Sequence, residues 1–210
     1  MSRLSSRRRR AGWRFILSTS LVGWVWVFFA VSNVASWSTN HRPVGLGAVG
    51  LECVVAVLFI TRRQPLTVSR SPIAWIAALL GGFGLNAARP HYAPVGGLEL
   101  VYQALQVGGA IAATIALITL GRSFGFVAAN RGVQTRGPYR IVRHPVYASY
   151  LLVEAGYLLE NPSVSTALVI SAVMVAQLGR VWQEERCLAA DPVYAEYRQR
   201  VRQRLVPFIV

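Results

Sequence analysis

Four side chains able to bind or polarise a ligand fall within nine residues: Tyr139, Arg143, His144 and Tyr147 of Gly137-Pro-Tyr-Arg-Ile-Val-Arg-His-Pro-Val-Tyr147. Pro138 sets a turn after Gly137. Pro145 pushes His144 out of the helical region and suits the first position of a new helix. His144 is therefore expected at the mouth of a helix whose free N–H groups favour anions, with Arg143 beside it. A ligand carboxylate could dock there. An arginine-rich loop can also serve only to hold helices on the cytoplasmic side. Topology asks for charge alone, however, and not for two prolines or for interleaved rings.

A second cluster lies about forty residues on. Arg180 and Glu184 are four apart and share one helix face, with Glu185 next to them. They read either as a surface ion pair closing a span or as a carboxylate for a ligand ammonium and a guanidinium for a ligand carboxylate. Glu52 and Glu154 sit inside apolar segments, where ionisable groups are costly and often functional. Each could pair with an arginine, line a polar cavity or stay protonated. Gln103 and Gln106 suit interhelical hydrogen bonds. No metal site is expected, because His41, His91 and His144 are far apart and Cys53 and Cys187 have no ligand spacing. No glycine-rich nucleotide loop, Walker motif or nucleophile elbow is present.

These clusters must be positioned by membrane helices. The 210 residues are 54% hydrophobic, and the net charge of +14 comes from 22 arginines with no lysine. The charges lie between apolar runs rather than on one surface, so no nucleic-acid partner is expected. One domain, 1–210, is predicted, with N-terminal spans in 1–120 and the catalytic loop, hairpin and tail in 121–210. The fold class is all-α and multi-pass, with four spans, a C-terminal helical hairpin and an amphipathic cytoplasmic tail helix. The spans are Phe15–Ala35, Val44–Ile60, Pro72–Ala88 and Leu98–Leu120, with Gly81, Gly82 and Gly84 allowing close helix approach. The first run is too long for a signal peptide and reads as a retained span. Val146–Leu159 and Ser163–Val181 form the hairpin around the turn Glu160-Asn161-Pro162, returning Arg180 and Glu184 towards His144. Arginines divide 20 against 2 between the two sides, which puts both termini and the His144 loop in the cytoplasm. In the tail, Asp191-Pro192 starts a helix whose Val193, Tyr197, Val201 and Leu205 recur every four residues, to lie on the membrane or cover the site.

Spaced blocks also agree in order with a known pattern: Leu120-Gly-Arg-Ser-Phe-Gly125, the Gly137–Tyr147 block, Glu184-Glu185-x-x-Leu188, Tyr194-x-x-Tyr197 and Arg204-Leu-Val-Pro207. Over roughly residues 118–209 the chain resembles the isoprenylcysteine carboxyl methyltransferase family, whose pattern the phospholipid N-methyltransferases share. The resemblance implies an integral membrane methyltransferase that uses S-adenosylmethionine. It places the cofactor on Val133, Gln134, Tyr139, His144, Pro145, Val146, Tyr147 and Glu184, and the substrate on Arg180. Two departures stand out: Ser149 where the family usually has glycine, and Ala190-Asp191-Pro192 in place of Phe-Gly before the paired tyrosines.

Residue chemistry agrees with this. A helix N-terminus with Arg143 suits the cofactor's carboxylate, Glu184 its ammonium, and tyrosine rings its adenine or sulfonium. Methyl transfer needs alignment in a dry site rather than a metal. Arg180, Arg143 and Glu185 are the catalytic candidates. A carboxylate acceptor needs no base, whereas an amine or thiol would use Glu185 or Glu154. The expected partners are membrane lipids and a lipophilic substrate entering from the bilayer, and the arginine-rich composition suggests a bacterial inner membrane. The rivals are an NADPH-dependent membrane reductase of the sterol-reductase type, which shares the Arg-His-Pro-x-Tyr block, and a non-enzymatic lipid-binding protein.

Overall fold

The computed structural model describes residues 22–39, 41, 43–69, 71–88 and 96–207. Seven α-helices follow one another: α1 over 22–39, α2 Pro43–Thr61, α3 Pro72–Phe83, α4 Glu99–Leu120, α5 Pro145–Glu160, α6 Val164–Leu188 and α7 Pro192–Arg200. The only strands among the described residues are β1 (Thr67–Val68) and β2 (Ala129–Asn130), paired antiparallel. That ladder ties the α2–α3 loop to the long loop after α4.

Side-chain size is distributed as a bilayer demands. Ala74, Ala77, Ala78, Ala110, Ala113 and Ala116 are buried between helices, while Ile60, Ile73, Ile76, Ile118, Leu168 and Val175 are exposed on the outside. Lipid tails solvate large apolar residues as well as a protein core does, so close packing goes to small ones. Gly82 and Gly84 continue this rule. A Cβ at either would come within 2.7 Å of Phe126 or Val173 respectively, as the predicted close approach of this glycine run requires.

Three segments among the described residues are long and apolar enough to cross a membrane: Val44–Thr61, Glu99–Ser123 and Val164–Leu188. The all-α membrane fold stands, but the count of four full spans does not follow from it. The expected third span is a 12-residue helix followed by a 3₁₀ turn, Gly84–Ala87. At 1.5 Å per residue, α3 covers about 18 Å of a core roughly 30 Å thick. The start of the expected first span, with its six arginines, lies outside the described residues, as do Arg42, Arg70 and Arg89.

The C-terminal hairpin is also modified. The turn falls where Asn161 and Pro162 place it, with Ser163 accepting from the Thr166 N–H as the cap of α6. The two arms nevertheless pack mainly on other partners, α5 on α4 and α6 on α3. Gly109 makes the α4–α5 seam possible, since a Cβ there would meet the Ser149 carbonyl at 2.9 Å. Ser149 itself is buried and donates to the Pro145 carbonyl at 2.8 Å, so the glycine of that contact sits on α4 instead. Gln106 reaches the Glu160 carboxylate at 3.0 Å across the same seam.

The tail helix starts as predicted: Asp191 accepts from the Val193 N–H at 3.0 Å and Pro192 follows at the first position. It does not carry the predicted apolar stripe. Val193 is exposed, the helix stops at Arg200, and Tyr194, Tyr197 and Val201 turn inward onto Tyr139. Burial of those rings makes α7 a cover rather than a surface-lying helix.

Candidate active site

Pro145 fixes the start of α5, and His144 caps it with non-helical backbone (φ −128°, ψ 62°). The chain then clips His144 and Arg143 to the segment after α7. The Arg143 N–H donates to the Gln203 carbonyl and the His144 N–H to the Arg204 carbonyl, both at 2.9 Å. α6 runs four residues past Glu184, so the glutamates arrive on the same rigid rod as Arg180. The two clusters therefore meet. His144 Nδ1 lies 3.8 Å from Glu184, and its Nε2 lies 3.4 Å from Glu185.

The two glutamates have separate surroundings. Glu185 is shared by Arg143 (3.1 Å), His144 and Arg204 (3.4 Å), and it lines neither of the cavities described below. Glu184 is about a quarter exposed and accepts the Tyr147 hydroxyl. The Tyr147 ring in turn lies under the Arg180 guanidinium, 5.3 Å from its centroid. Arg180 is buried, donates to the Phe126 carbonyl at 3.1 Å and packs its stem on Gly81.

Two cavities flank this chain of contacts. The first, with about 700 Å³ of atom-free space partly open to solvent, is lined by Val133, Gln134, Tyr139, His144, Val146 and Glu184, and also by Arg131, Arg143, Tyr194 and Tyr197. Pro145 and Tyr147 lie behind that wall: the first is the buried opening residue of α5 and the second is buried beneath Glu184. Gln134 uses its amide on the loop itself, donating to the Thr119 carbonyl at 2.6 Å and accepting from the N–H groups of Thr135 and Arg136. Tyr197 donates to the Tyr139 carbonyl at 2.7 Å, holding α7 against the opening. Asp191 accepts from Asn130 at 2.9 Å, so the departure at 190–192 pins α7 to β2.

The second cavity, about 920 Å³ on the same measure, lies among the helices between Trp26, Phe29, Leu51, Phe126 and Val153. Arg180 lines it, together with Glu52, Glu154 and Gln177. Among the described residues, neither intramembrane glutamate pairs with an arginine. Glu52 accepts from Asn33 at 2.9 Å and Glu154 from Gln177 at 2.5 Å.

The sequence reading missed Arg131. It is 7% exposed, lines the first cavity, and its Nε has no hydrogen-bond partner among the described residues. Burial first, then the neighbouring Arg62, pulls its guanidinium down to about 10, against the opposing pull of Glu184. Arg143, by contrast, is committed to Glu185 and to the Val201 carbonyl at 3.3 Å. A single arginine in a basic loop has no periodicity to mark it as buried, so only the fold reveals which cation is left over.

Residues 102–190 match the model of the isoprenylcysteine carboxyl methyltransferase (ICMT) family. Over this segment the chain is similar to the ICMT family. Among curated proteins, none matches the chain. The matched segment takes in most of α4, then α5, α6 and the loop carrying Arg131 and His144. It stops before α7, so the tyrosine cover and the clip at Gln203 and Arg204 rest on the structure alone.

Proposed function

We propose that this protein is an integral membrane methyltransferase that binds S-adenosylmethionine in the first cavity and receives a lipophilic acceptor in the second. The carrying observation is the wall the cavities share: Glu184 on one side, Arg180 on the other, and Tyr147 bonded to the first and stacked under the second. The donor set fits the cofactor. Arg131 is a buried cation in need of an anion, which suits a carboxylate. Glu184 is a carboxylate with open surface for an ammonium, and Tyr139, Tyr194 and Tyr197 offer ring faces. Arg143 then holds the strap rather than the ligand.

When bound, the sulfonium supplies an electrophilic methyl group. Tyr147 keeps Glu184 oriented by its hydroxyl, and Arg180 offers a fixed guanidinium to an oxygen of the acceptor head. Tyr194 and Tyr197 exclude water by roofing the cavity from α7. Val133, Gln134, His144, Pro145 and Val146 shape the wall through the backbone of the loop and the first turn of α5. Glu185 fixes His144 and Arg143, and the guanidinium groups of Arg143 and Arg204 beside it leave it unsuited to take a proton. The cytoplasmic orientation of this end and a bacterial inner membrane remain part of the proposal, supported by the arginine distribution.

Detergent-purified protein should bind S-adenosylmethionine and its demethylated product in isothermal titration, and Glu184→Gln should weaken that binding by about tenfold. Binding of NADPH in its place would overturn this reading in favour of a reductase.

A further inference from the structure

The second cavity has a polar end that methyl transfer does not use. Glu154, on α5, is 3% exposed, and Gln177, on α6, is 4% exposed. Gln177 Nε2 donates to Glu154 Oε1, which leaves Glu154 Oε2 and Gln177 Oε1 without partners among the described residues. Gln177 Oε1 is an acceptor, and so is Glu154 Oε2 when the carboxyl is ionised. Glu52 faces the same cavity from α2, and its described partner is the neutral amide of Asn33. Two carboxylates thus share a cavity whose lining contains one cation, Arg180. Buried charge at membrane depth is tolerated only when compensated, and a buried acceptor without a donor costs free energy. The cavity is short of one positive, hydrogen-bond-donating group.

Position adds to this. Glu154 is seven residues beyond Tyr147 on α5, and Gln177 is seven residues before Glu184 on α6. Seven residues are about two turns, or roughly 10 Å along each helix. The polar end therefore lies at one depth on both helices, well below the shared wall. Arg180 Nε and Trp26 Nε1, which line the same cavity, are donors without partners among the described residues. The cavity offers donors as well as acceptors, within apolar surroundings.

We infer that the cavity takes a lipophilic amine, with the ammonium held by Glu154 and Gln177 opposite Glu52 and an oxygen of the same molecule turned towards Arg180 and Trp26. This rests on the proposed function for calling the ligand a methyl acceptor, but the binding itself does not. It makes Glu154 a recognition residue rather than the base that the sequence suggested.

The test uses the full chain in detergent, without cofactor, and three probes of equal chain length: dodecylamine, dodecanol and dodecanoate. Equal tails match the apolar contribution, and titration of each probe into protein-free detergent corrects for its own partition into the micelle. Titration calorimetry should find the amine bound about tenfold more tightly than the alcohol, and the carboxylate weakest. Glu154→Gln keeps the shape and removes the charge, so it should abolish the preference for the amine. Gln177→Leu, which removes the second orphan acceptor, should reduce that preference. Equal binding of amine and alcohol by the unaltered protein overturns the inference without any variant. So does a Glu154→Gln protein that keeps the amine preference. Amine preference in a protein that fails to bind S-adenosylmethionine would uphold this site and remove the methyltransferase reading. Cofactor binding with no amine preference would do the reverse.

Discussion

Gly125 and the Arg131 guanidinium occupy one another's space: a Cβ at 125 would overlap the guanidinium carbon and a terminal nitrogen of Arg131. The colliding atoms are the far end of a flexible side chain, so a methyl group at 125 displaces the cation instead of the fold. Gly125→Ala should therefore behave as a positional variant of Arg131. Both Gly125→Ala and Arg131→Ala are expected to weaken S-adenosylmethionine binding by about tenfold while leaving thermal stability nearly unchanged. Calorimetric affinities that match the unaltered protein in both variants would show that Arg131 holds no ligand.

Glu185 allows two ion pairs of different worth to be compared on one carboxylate. Arg143 is 5% exposed at its side chain, and Arg204 is 54% exposed. Removing Glu185 strands a buried guanidinium, which should cost about 3 kcal/mol. Removing Arg204 loses only a solvent-screened contact, below about 1 kcal/mol. Thermal denaturation in detergent should rank Glu185→Ala far below Arg204→Ala. Equal losses would mean that the strap, not the buried pair, supplies the stability.

Burial pushes the Tyr197 hydroxyl up to about 12, with nearby Arg143 pulling weakly the other way. An unfolded tyrosine ionises near 10. Between those values the folded chain keeps a proton that the unfolded chain releases. Stability is therefore full below about pH 10 and is lost as pH rises through about 12. Tyr197→Phe should lessen this alkaline slope, to which the likewise buried Tyr139 and Tyr194 also contribute, and, by losing the bond to the Tyr139 carbonyl, cost about 1 kcal/mol at neutral pH. Denaturation midpoints across that pH range decide the matter, and an unchanged slope in the variant would refute it.

The α4–α5 seam predicts opposite outcomes at adjacent glycines. A Cβ at Gly109 meets backbone atoms of Ser149 and Val153 within 3.0 Å, whereas one at Gly108 meets nothing within 4 Å. Backbone cannot step aside as a side chain can. Gly109→Ala should destabilise by about 1–3 kcal/mol, and Gly108→Ala should be neutral or slightly stabilising through its helix propensity. Ser149→Gly, which restores the usual family residue, loses only an intrahelical hydrogen bond and should stay within about 1 kcal/mol. Melting temperatures in detergent would expose any reversal of this order.

What the sequence made legible was local and covalent in origin. Pro145 after His144, Pro192 after Asp191, and Asn161-Pro162 each fix backbone geometry within a few residues, and each element starts or turns where they stand. The meeting of His144 with Glu184 also followed, because two arms of known polarity had to return the chain to one face. Arg131, Gly125 and the inward turn of Tyr194 did not follow. Each depends on which side chain is left facing a cavity after three or more elements have packed, and no period or spacing along the chain records that. The predicted stripe through Val193 failed for the same reason. A repeat of four fits several helix faces, and the rings of Tyr194 and Tyr197 had more apolar surface to bury against Tyr139. The third span, expected over Pro72–Ala88, is an apolar helical segment over Pro72–Ala87 whose regular α-helix ends at Phe83 and whose last turn is 3₁₀.

That short third helix has a bearing on the surrounding lipid. α3 turns Trp75, Ile76, Leu79 and Leu80 outward over only about 18 Å. The 3₁₀ turn Gly84–Ala87 brings the whole apolar segment to about 26 Å, a little under the hydrocarbon thickness. A mismatch of that size would be met by slight thinning of the bilayer beside α3, the helix through which Gly81 and Gly82 border the second cavity.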